Sequence, residues 1–166
     1  MNSNSQHYFL KALDHFPMEL AECHEKLNYA LSIEPEHPDA NVLMARIYLE
    51  YFKDRKNCKY HLERAISGDP GHEQAFAMML RLAVIERDDQ AVQRINAFLE
   101  KERILAEDFR LYQLAIHHEL NGNFKKALEF VKASIMVCVQ SETIRFLDDM
   151  VSRLERKKRD KKNLKS

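Results

Sequence analysis

An internal repeat with an offset of 35 residues constrains the fold of this chain more than any other feature. Residues 27–40 and 62–75 carry Leu, Ala, an aliphatic residue, Ser, an acidic residue, Pro, His and Ala in the same register. A period near 35 residues is typical of stacked helix pairs, because a two-helix repeat can bury its apolar face only against its neighbours. The repeat therefore predicts an all-α chain. His37 and His72, which share one repeat position just after a proline, are predicted to lie at helix starts.

Turn-forming residues are scarce, with only 3 Gly and 4 Pro in 166 residues. So few cannot supply the hairpins of a sheet protein, and they favour long helices with short connections. Apolar residues recur at three- and four-residue steps, as in residues 124–138, and Pro- and Gly-containing breakers separate these stripes. The pattern predicts nine helices, at residues 5–16, 18–33, 38–52, 55–67, 72–86, 88–101, 106–120, 124–139 and 141–158.

At this point the chain resembles the tetratricopeptide repeat family, whose signature is a set of small and large packing residues in two consecutive helices. The best match lies in residues 108–139 and the next in residues 38–70, and the positions that carry it are Leu111, Leu114, Ala115, His118, Gly122, Ala127 and Val131, then Asn41, Met44, Ala45, Tyr48, Cys58, Leu62, Ala65 and Pro70. The resemblance implies a right-handed α-solenoid of antiparallel helix pairs. We expect one repeat domain over residues 1–158, with repeats at roughly 5–37, 38–72, 73–105 and 106–140 and a capping helix at 141–158.

The same resemblance implies that first-helix side chains line a concave groove that binds a partner segment. Arg46 and Arg81 are equivalent positions, and a guanidinium fork suits carboxylates. The alternative for Arg46 is an ion pair with Glu50, one helical turn away. Phe109 and Tyr112 would act as aromatic anchors. The predicted groove consists of Val42, Arg46, Leu49, Glu50, Ala77, Arg81, Val84, Phe109, Tyr112, Ile116 and Glu119.

The charges balance overall, at 26 basic and 26 acidic residues, but they are distributed unevenly. Residues 153–165 hold eight basic and two acidic residues, so a basic C-terminal tail, assigned to residues 159–166, follows an acidic body. Three interpretations stay open for this tail: a solubilising, frayed helix end, a segment that contacts nucleic-acid phosphates, and a segment that associates with the acidic body of another copy. The tail has no aromatic residue for base stacking, which weakens the second interpretation.

Catalytic and metal-binding patterns are missing from the sequence. There is no Gly-rich phosphate loop and no Gly-x-Ser-x-Gly nucleophile motif. His117 and His118 are adjacent, so their side chains diverge on a helix, whereas a helical zinc pair needs two His about one turn apart. Cys23 and Cys58 occupy equivalent positions that are typical of small packing residues. We therefore predict no enzymatic activity, no cofactor and no metal site.

These patterns together predict a non-enzymatic, cytoplasmic adaptor or scaffold that binds a protein or peptide segment in its groove. A secretion- or assembly-type chaperone is a narrower version of that role, which the resemblance suggests. No apolar run is long enough to span a membrane, and the N-terminal residues do not have the pattern of a secretory signal. A homodimer is left open. The alternative function is a nucleic-acid-associated accessory protein that acts through the basic tail, with nucleic acid as the less favoured partner.

Overall fold

The computed structural model describes residues 3–163, and all regular secondary structure in that range is helical. The all-α prediction is confirmed for these residues, and each of the nine predicted helices has a counterpart. Residues 164–166, which end the predicted basic tail, lie outside the described range, as do residues 1 and 2. The helices are α1 (Ser3–His15), α2 (Leu20–Ile33), α3 (Pro38–Ile47), α4 (Arg55–Gly68), α5 (Glu73–Glu86), α6 (Asp89–Glu102), α7 (Glu107–Leu120), α8 (Phe124–Val137) and α9 (Ser141–Asn163).

Two of these helices differ from the prediction in an informative way. The predicted helix over residues 38–52 is α3 followed by a π-helical segment, Tyr48–Phe52. The predicted last helix, 141–158, continues to Asn163, so the first residues of the predicted tail are helical. Lys and Arg near a helix C-terminus interact favourably with the helix dipole, which explains how so basic a segment remains helical.

The chain divides into two compact units, Met1–Met79 and Leu80–Ser166, which we call the N-terminal and C-terminal units. In the N-terminal unit, α1 packs against α2, α2 against α3 and α3 against α4. The predicted apolar stripes meet in one core, and the Ser5 hydroxyl, buried beside it, donates a hydrogen bond to the Ala30 carbonyl (3.1 Å). This core contains Phe9, Ala12, Cys23, Leu27, Ala30, Ala40, Leu43, Met44 and Ile47.

The two equivalent histidines of the N-terminal unit do lie at helix starts. His37 Nδ1 accepts a hydrogen bond from the Ala40 backbone amide (3.3 Å), and His72 Nδ1 accepts one from that of Ala75 (3.2 Å). Each ring therefore carries its proton on Nε2. His37 Nε2 lies 3.0 Å from Gln6 Oε1, and His72 Nε2 lies 3.0 Å from Asp39 Oδ1. One side chain thus caps a helix and ties it to an earlier helix, which accounts for the recurrence of His at this position.

In the C-terminal unit, α6 contacts α7, α7 packs against α8 and α8 against α9. The apolar face of α9 is buried at Leu147, Met150 and Leu154, which extends the core that α7 and α8 form. Burying such side chains contributes about 2 kcal/mol each, so α9 is firmly held over this stretch. The core consists of Ala115, Ala127, Leu128, Val131, Cys138, Leu147, Met150 and Leu154.

Candidate partner-binding surface

The π-helical segment Tyr48–Phe52 is the first structural feature of functional interest. It ends at Lys53, whose φ of 56° is left-handed and whose backbone amide donates to the Tyr48 carbonyl. π-Helical turns are rare and often occur at functional sites, because the wider turn redirects the side chains that follow. Here the segment carries two predicted groove residues, Leu49 and Glu50, together with three aromatic rings.

Arg46 lies one turn before this segment, and its guanidinium has two partners. Its Nε donates to Glu50 Oε2 (3.1 Å), which is the pairing that the spacing allowed, and its Cζ lies 4.9 Å from the centroid of the Phe16 ring. The Arg46 side chain is still 50% exposed. The ion pair with Glu50 and the contact with the Phe16 ring fix the position of the guanidinium and leave the Arg46 side chain accessible from solvent.

Aromatic rings of the N-terminal unit form a cluster of two contact groups, and one of these groups begins beside Arg46. The Phe16 and Tyr51 rings meet edge to face (6.2 Å), Tyr48 contacts Phe52 (5.5 Å), and His24 contacts both Tyr48 and Phe52. Tyr48 also stacks on His61, which contacts Tyr60. We call this cluster the aromatic surface; it comprises Phe16, His24, Tyr48, Tyr51, Phe52, Tyr60 and His61.

Three rings of the aromatic surface are largely open to solvent. Tyr51 is 40% exposed, Phe52 52% and Tyr60 54%. Scattered apolar residues are common on protein surfaces, but several exposed rings in one unit, some of them beside an arginine, have the composition of an interaction site. The sequence does not reveal this surface, because Tyr51 and Phe52 belong to no apolar stripe and Phe16 lies far away in the chain, just after α1.

His61 is held in the aromatic surface by a hydrogen bond and is uncharged at neutral pH. His61 Nδ1 donates to Asn41 Oδ1 (2.9 Å), and burial together with the neighbouring His24 lowers the pKa of His61 to about 4. Asn41 is itself fixed, because its amide donates to the carbonyls of Pro35 and His37 (3.0 Å each). His61 is therefore neutral near pH 7. The charged side chains beside the aromatic surface are Arg46, which lies over the Phe16 ring, and Glu50, which pairs with Arg46.

The predicted groove residues of α7 lie against α9 in the C-terminal unit. Tyr112 and Ile116 pack on the core that includes Leu147 and Met150. The Tyr112 ring contacts Phe146 edge to face (5.6 Å), and Phe146 is 53% exposed. Burial raises the pKa of the Tyr112 hydroxyl, while the positive charges of Arg153 and Arg81 oppose that rise.

Glu119 is held by two basic residues of α9. Its carboxylate accepts from Arg153 Nη2 (2.9 Å), Arg153 Nε (3.1 Å) and Lys157 Nζ (2.8 Å), and its side chain is only 9% exposed. Burial acts to raise the pKa of Glu119, but the hydrogen bonds from Lys157 and Arg153 outweigh it and lower that pKa. Glu119 therefore fastens α9 to α7.

The remaining groove positions differ in accessibility. Val42, Leu49 and Val84 are buried, at 7%, 8% and 1% exposure. Ala77 and Phe109 are half-buried, and Arg81 is exposed. A partner could therefore reach Arg46, Arg81 and the edges of Tyr112 and Phe109 more readily than the three buried aliphatic side chains.

Residues 3–163 contain no group of three or more His, Cys, Asp or Glu side chains placed to hold a metal ion. Cys23 is fully buried, and burial raises the pKa of its thiol to about 11, which keeps the thiol protonated at neutral pH. His117 and His118 diverge: His117 Nε2 lies 2.7 Å from Asp89 Oδ1, whereas His118 stacks on Phe130. Within the same described stretch, none of the helices combines the length and the apolar character needed to cross a bilayer.

Comparison with known proteins returned no match of any kind. No family model matches the chain, and neither a curated protein nor a solved structure does. Function is therefore inferred from the residues of the chain itself.

Proposed function

We propose that this protein is a non-enzymatic adaptor that captures a segment of a partner protein on the aromatic surface of its N-terminal unit. The observation that supports this most is the presence of three exposed rings, Tyr51, Phe52 and Tyr60, in the same unit as the half-exposed Arg46, with Tyr51 in the contact group that begins beside Arg46. Tyr and Arg are the residue types that contribute most to binding energy in protein interfaces.

The arrangement also suggests what the partner segment carries. The rings would bury apolar side chains, and each large aromatic residue buries about 150–250 Å² when it is covered. The Arg46 guanidinium, already held by Glu50 and Phe16, loses little freedom when it binds a further group, and its planar donors suit a carboxylate. The favoured partner segment therefore has apolar residues next to an acidic residue.

The wider architecture of the adaptor belongs to the same proposal. The 35-residue repeat and the packing of successive helices within each unit support a right-handed solenoid of antiparallel helix pairs, of the tetratricopeptide kind. A cytoplasmic scaffold, including a secretion- or assembly-type chaperone, fits this mode of binding.

The test is to select peptides from a random displayed library on the full-length protein and to measure their affinities by fluorescence anisotropy. We expect Tyr51→Ala/Phe52→Ala to weaken binding of the selected peptides by at least about tenfold, since truncation of interface anchors typically costs more than about 1.4 kcal/mol. Arg46→Ala should weaken peptides that contain an acidic residue more than those that do not.

Tyr29→Ala is the matched control, because Tyr29 is 49% exposed but lies outside the aromatic surface. It should leave the affinities unchanged. Selected peptides that bind the Tyr51→Ala/Phe52→Ala variant as tightly as the unmodified protein would contradict the proposal. If the partner also follows the predicted groove, Arg81→Glu weakens binding, whereas removal of residues 156–166 does not.

A further inference from the structure

Basic side chains from two helices converge at one end of the C-terminal unit. Lys125 and Lys126 come from the first turn of α8, and Lys158, Arg159, Lys161 and Lys162 come from the end of α9. They line two pockets that share Lys125, Lys158 and Lys162. We call these six residues the basic surface.

One pocket of the basic surface is lined by lysines and by no acidic residue. It has a volume of about 450 Å³, and its charged lining residues are five lysines. The other, of about 500 Å³, adds Lys132 and Arg159 together with two carboxylates, Glu129 and Glu155. Like charges held around one pocket repel each other, and an anion bound among them would relieve that repulsion.

The sequence at the start of α8 departs from what helix stability favours. The positive end of the helix dipole lies there and favours acidic residues, but the first turn contains none and carries Lys125 and Lys126 instead. Departures of this kind, where local stability is given up without an evident structural gain, are expected at functional sites. The convergence of lysines from α9 on the same pocket is an independent observation in the same direction.

Contacts made by other basic residues hold the end of α9 beside α8. Arg153 and Lys157 bind Glu119. Lys161 donates to the Gly122 carbonyl (2.8 Å), and its Nζ lies 5.4 Å from the centroid of the Phe124 ring. The basic segment is therefore a helix with a fixed orientation, which places Lys158 and Lys162 next to Lys125.

We propose that the basic surface binds the phosphate backbone of a double-stranded nucleic acid. Its lining offers charge and few other features: the Phe124 ring is half-buried beneath Lys161, and Leu128 is only 8% exposed. Without an exposed ring it cannot stack on unpaired bases, and without an exposed apolar anchor it has little to offer a protein partner or a bilayer. A duplex presents one phosphate charge per about 1.7 Å, the densest target for such a surface.

Binding of this kind has a distinctive signature. It is independent of base sequence, since no side chain is placed to read base edges, and it is steeply dependent on salt. A duplex binds more tightly than a single strand of the same sequence. DNA and RNA duplexes are both bound, because the recognised group is the phosphate.

The test titrates the full-length protein against labelled DNA and RNA duplexes and the corresponding single strands, by fluorescence anisotropy at a series of salt concentrations. Lys125→Ala/Lys126→Ala should weaken duplex binding by about tenfold at low salt and reduce the slope of log K against log salt by about 2, since each phosphate contact contributes about 0.9. Lys158→Ala/Lys162→Ala should have a similar effect. Thermal unfolding checks that the α8 variant stays folded, and replacing cations at a helix start should not lower its stability.

Lys59→Ala/Arg94→Ala is the matched control, with the same change in charge at two exposed positions outside the basic surface. A much smaller loss for this control supports the proposal, and an equal loss shows that only overall charge matters, which overturns it. The proposal is also overturned if the protein binds no duplex at low salt. It is overturned as well if Lys158→Ala/Lys162→Ala weakens binding and Lys125→Ala/Lys126→Ala does not, since the site would then be the basic end of α9 by itself. Binding to vesicles that contain phosphatidylserine but not to duplexes would assign the surface to membranes instead.

Discussion

The two units of this chain share a mode of helix packing and differ in the chemistry of their surfaces. The N-terminal unit contains 8 basic and 12 acidic residues, whereas the C-terminal unit contains 18 basic and 14 acidic residues. The first presents the aromatic surface, part of which lies beside Arg46, and the second presents the basic surface. In both units the apolar stripes specify how helices pack, whereas we infer that residues outside the stripes specify what each unit binds.

The units also differ in how their helices are tied together. In the N-terminal unit, His37 and His72 cap α3 and α5 and reach back to an earlier helix. In the C-terminal unit, the residues that precede α7 and α8, Ala106 and Asn123, make no side-chain capping hydrogen bond. There the buried Arg110 of α7 donates a hydrogen bond to Asn96 of α6 and so joins these two helices.

The largest effect is expected at Gly68, the last residue of α4 in the N-terminal unit. A Cβ at this position would overlap the backbone carbonyl oxygen of Glu36, which cannot move as a flexible side chain can. We expect Gly68→Ala to lower the free energy of unfolding by about 3 kcal/mol, the upper range for overpacking, despite the helix propensity that Ala gains. Urea denaturation followed by circular dichroism measures this change.

Gly71→Ala serves as the control, because the nearest atom to its added Cβ is Asp69 Oδ1 at 3.6 Å, an ordinary contact. It should leave stability unchanged or raise it slightly. Equal effects of the two substitutions would show that the close approach of α4 to Glu36 does not hold the N-terminal unit together.

The next largest effect is expected at Arg110 in the C-terminal unit. Its side chain is 7% exposed and donates to Asn96 Oδ1 (2.7 Å) and to Glu100 Oε1 (3.3 Å). Arg110→Ala should cost about 2 kcal/mol in the same denaturation experiment, through the lost packing of a buried side chain and the loss of its hydrogen bonds to α6. Arg145→Ala, at an exposed position of α9, should change stability by less than about 0.5 kcal/mol. A similar small change for Arg110→Ala would refute its role in joining α6 and α7.

A pH effect distinguishes the aromatic surface from the rest of the chain. The pKa of His61 is about 4 in the folded protein, below the ordinary histidine value of 6.5, so as the pH falls from 6.5 toward 4 the unfolded state takes up a proton that the folded state does not. The stabilisation that comes from the neutral His61 is therefore fully present above about pH 6.5 and is lost as the pH falls below it. The free energy of unfolding should decrease by on the order of 1.5 kcal/mol, a figure reduced because solvent screens the half-buried ring.

Denaturation of the His61→Asn variant at several pH values checks this prediction, because the variant should lose that part of the pH dependence. His118 is the comparison in the C-terminal unit. Burial, followed by the charges of His117 and Lys126, also lowers its pKa. If His118→Asn removed more of the pH dependence than His61→Asn, the effect would belong to the C-terminal unit.

Much of the fold could be predicted from the sequence because its signals are periodic. The apolar stripes located each helix of residues 3–163, and the recurrence of His37 and His72 located two helix starts. Other features carry no local signal. Lys53 and Arg103 end helices in the left-handed conformation, at φ 56° and 54°, although neither is a glycine. Gly68 is required by the backbone of Glu36 in the turn between α2 and α3, and spacing along one helix cannot reveal that requirement.

The candidate sites were predictable to a smaller extent, for a related reason. The pairing of Arg46 with Glu50 follows from their four-residue spacing, and the charge run of the tail is visible in the sequence. Each surface combines residues that are far apart in the chain, such as Phe16 with Tyr51 in the aromatic surface and Lys125 with Lys158 in the basic surface. Such juxtapositions depend on how the helices pack, which the repeat alone does not specify.

The smallest effects are expected for one kind of hydrogen bond that occurs once within each unit. Ser5 and Ser134 are each fully buried, and each hydroxyl donates to a backbone carbonyl of another helix, Ala30 at 3.1 Å and Asp108 at 2.7 Å. Ser→Ala deletes only the hydroxyl group, so it removes the hydrogen bond with little change in packing. Each substitution should therefore cost about 1 kcal/mol. Denaturation of the two single variants and of the double variant measures this. Equal costs would show that the two units fasten paired helices in the same way, whereas a cost confined to Ser134 would mean that the histidine ties make the hydroxyl of Ser5 redundant in the N-terminal unit.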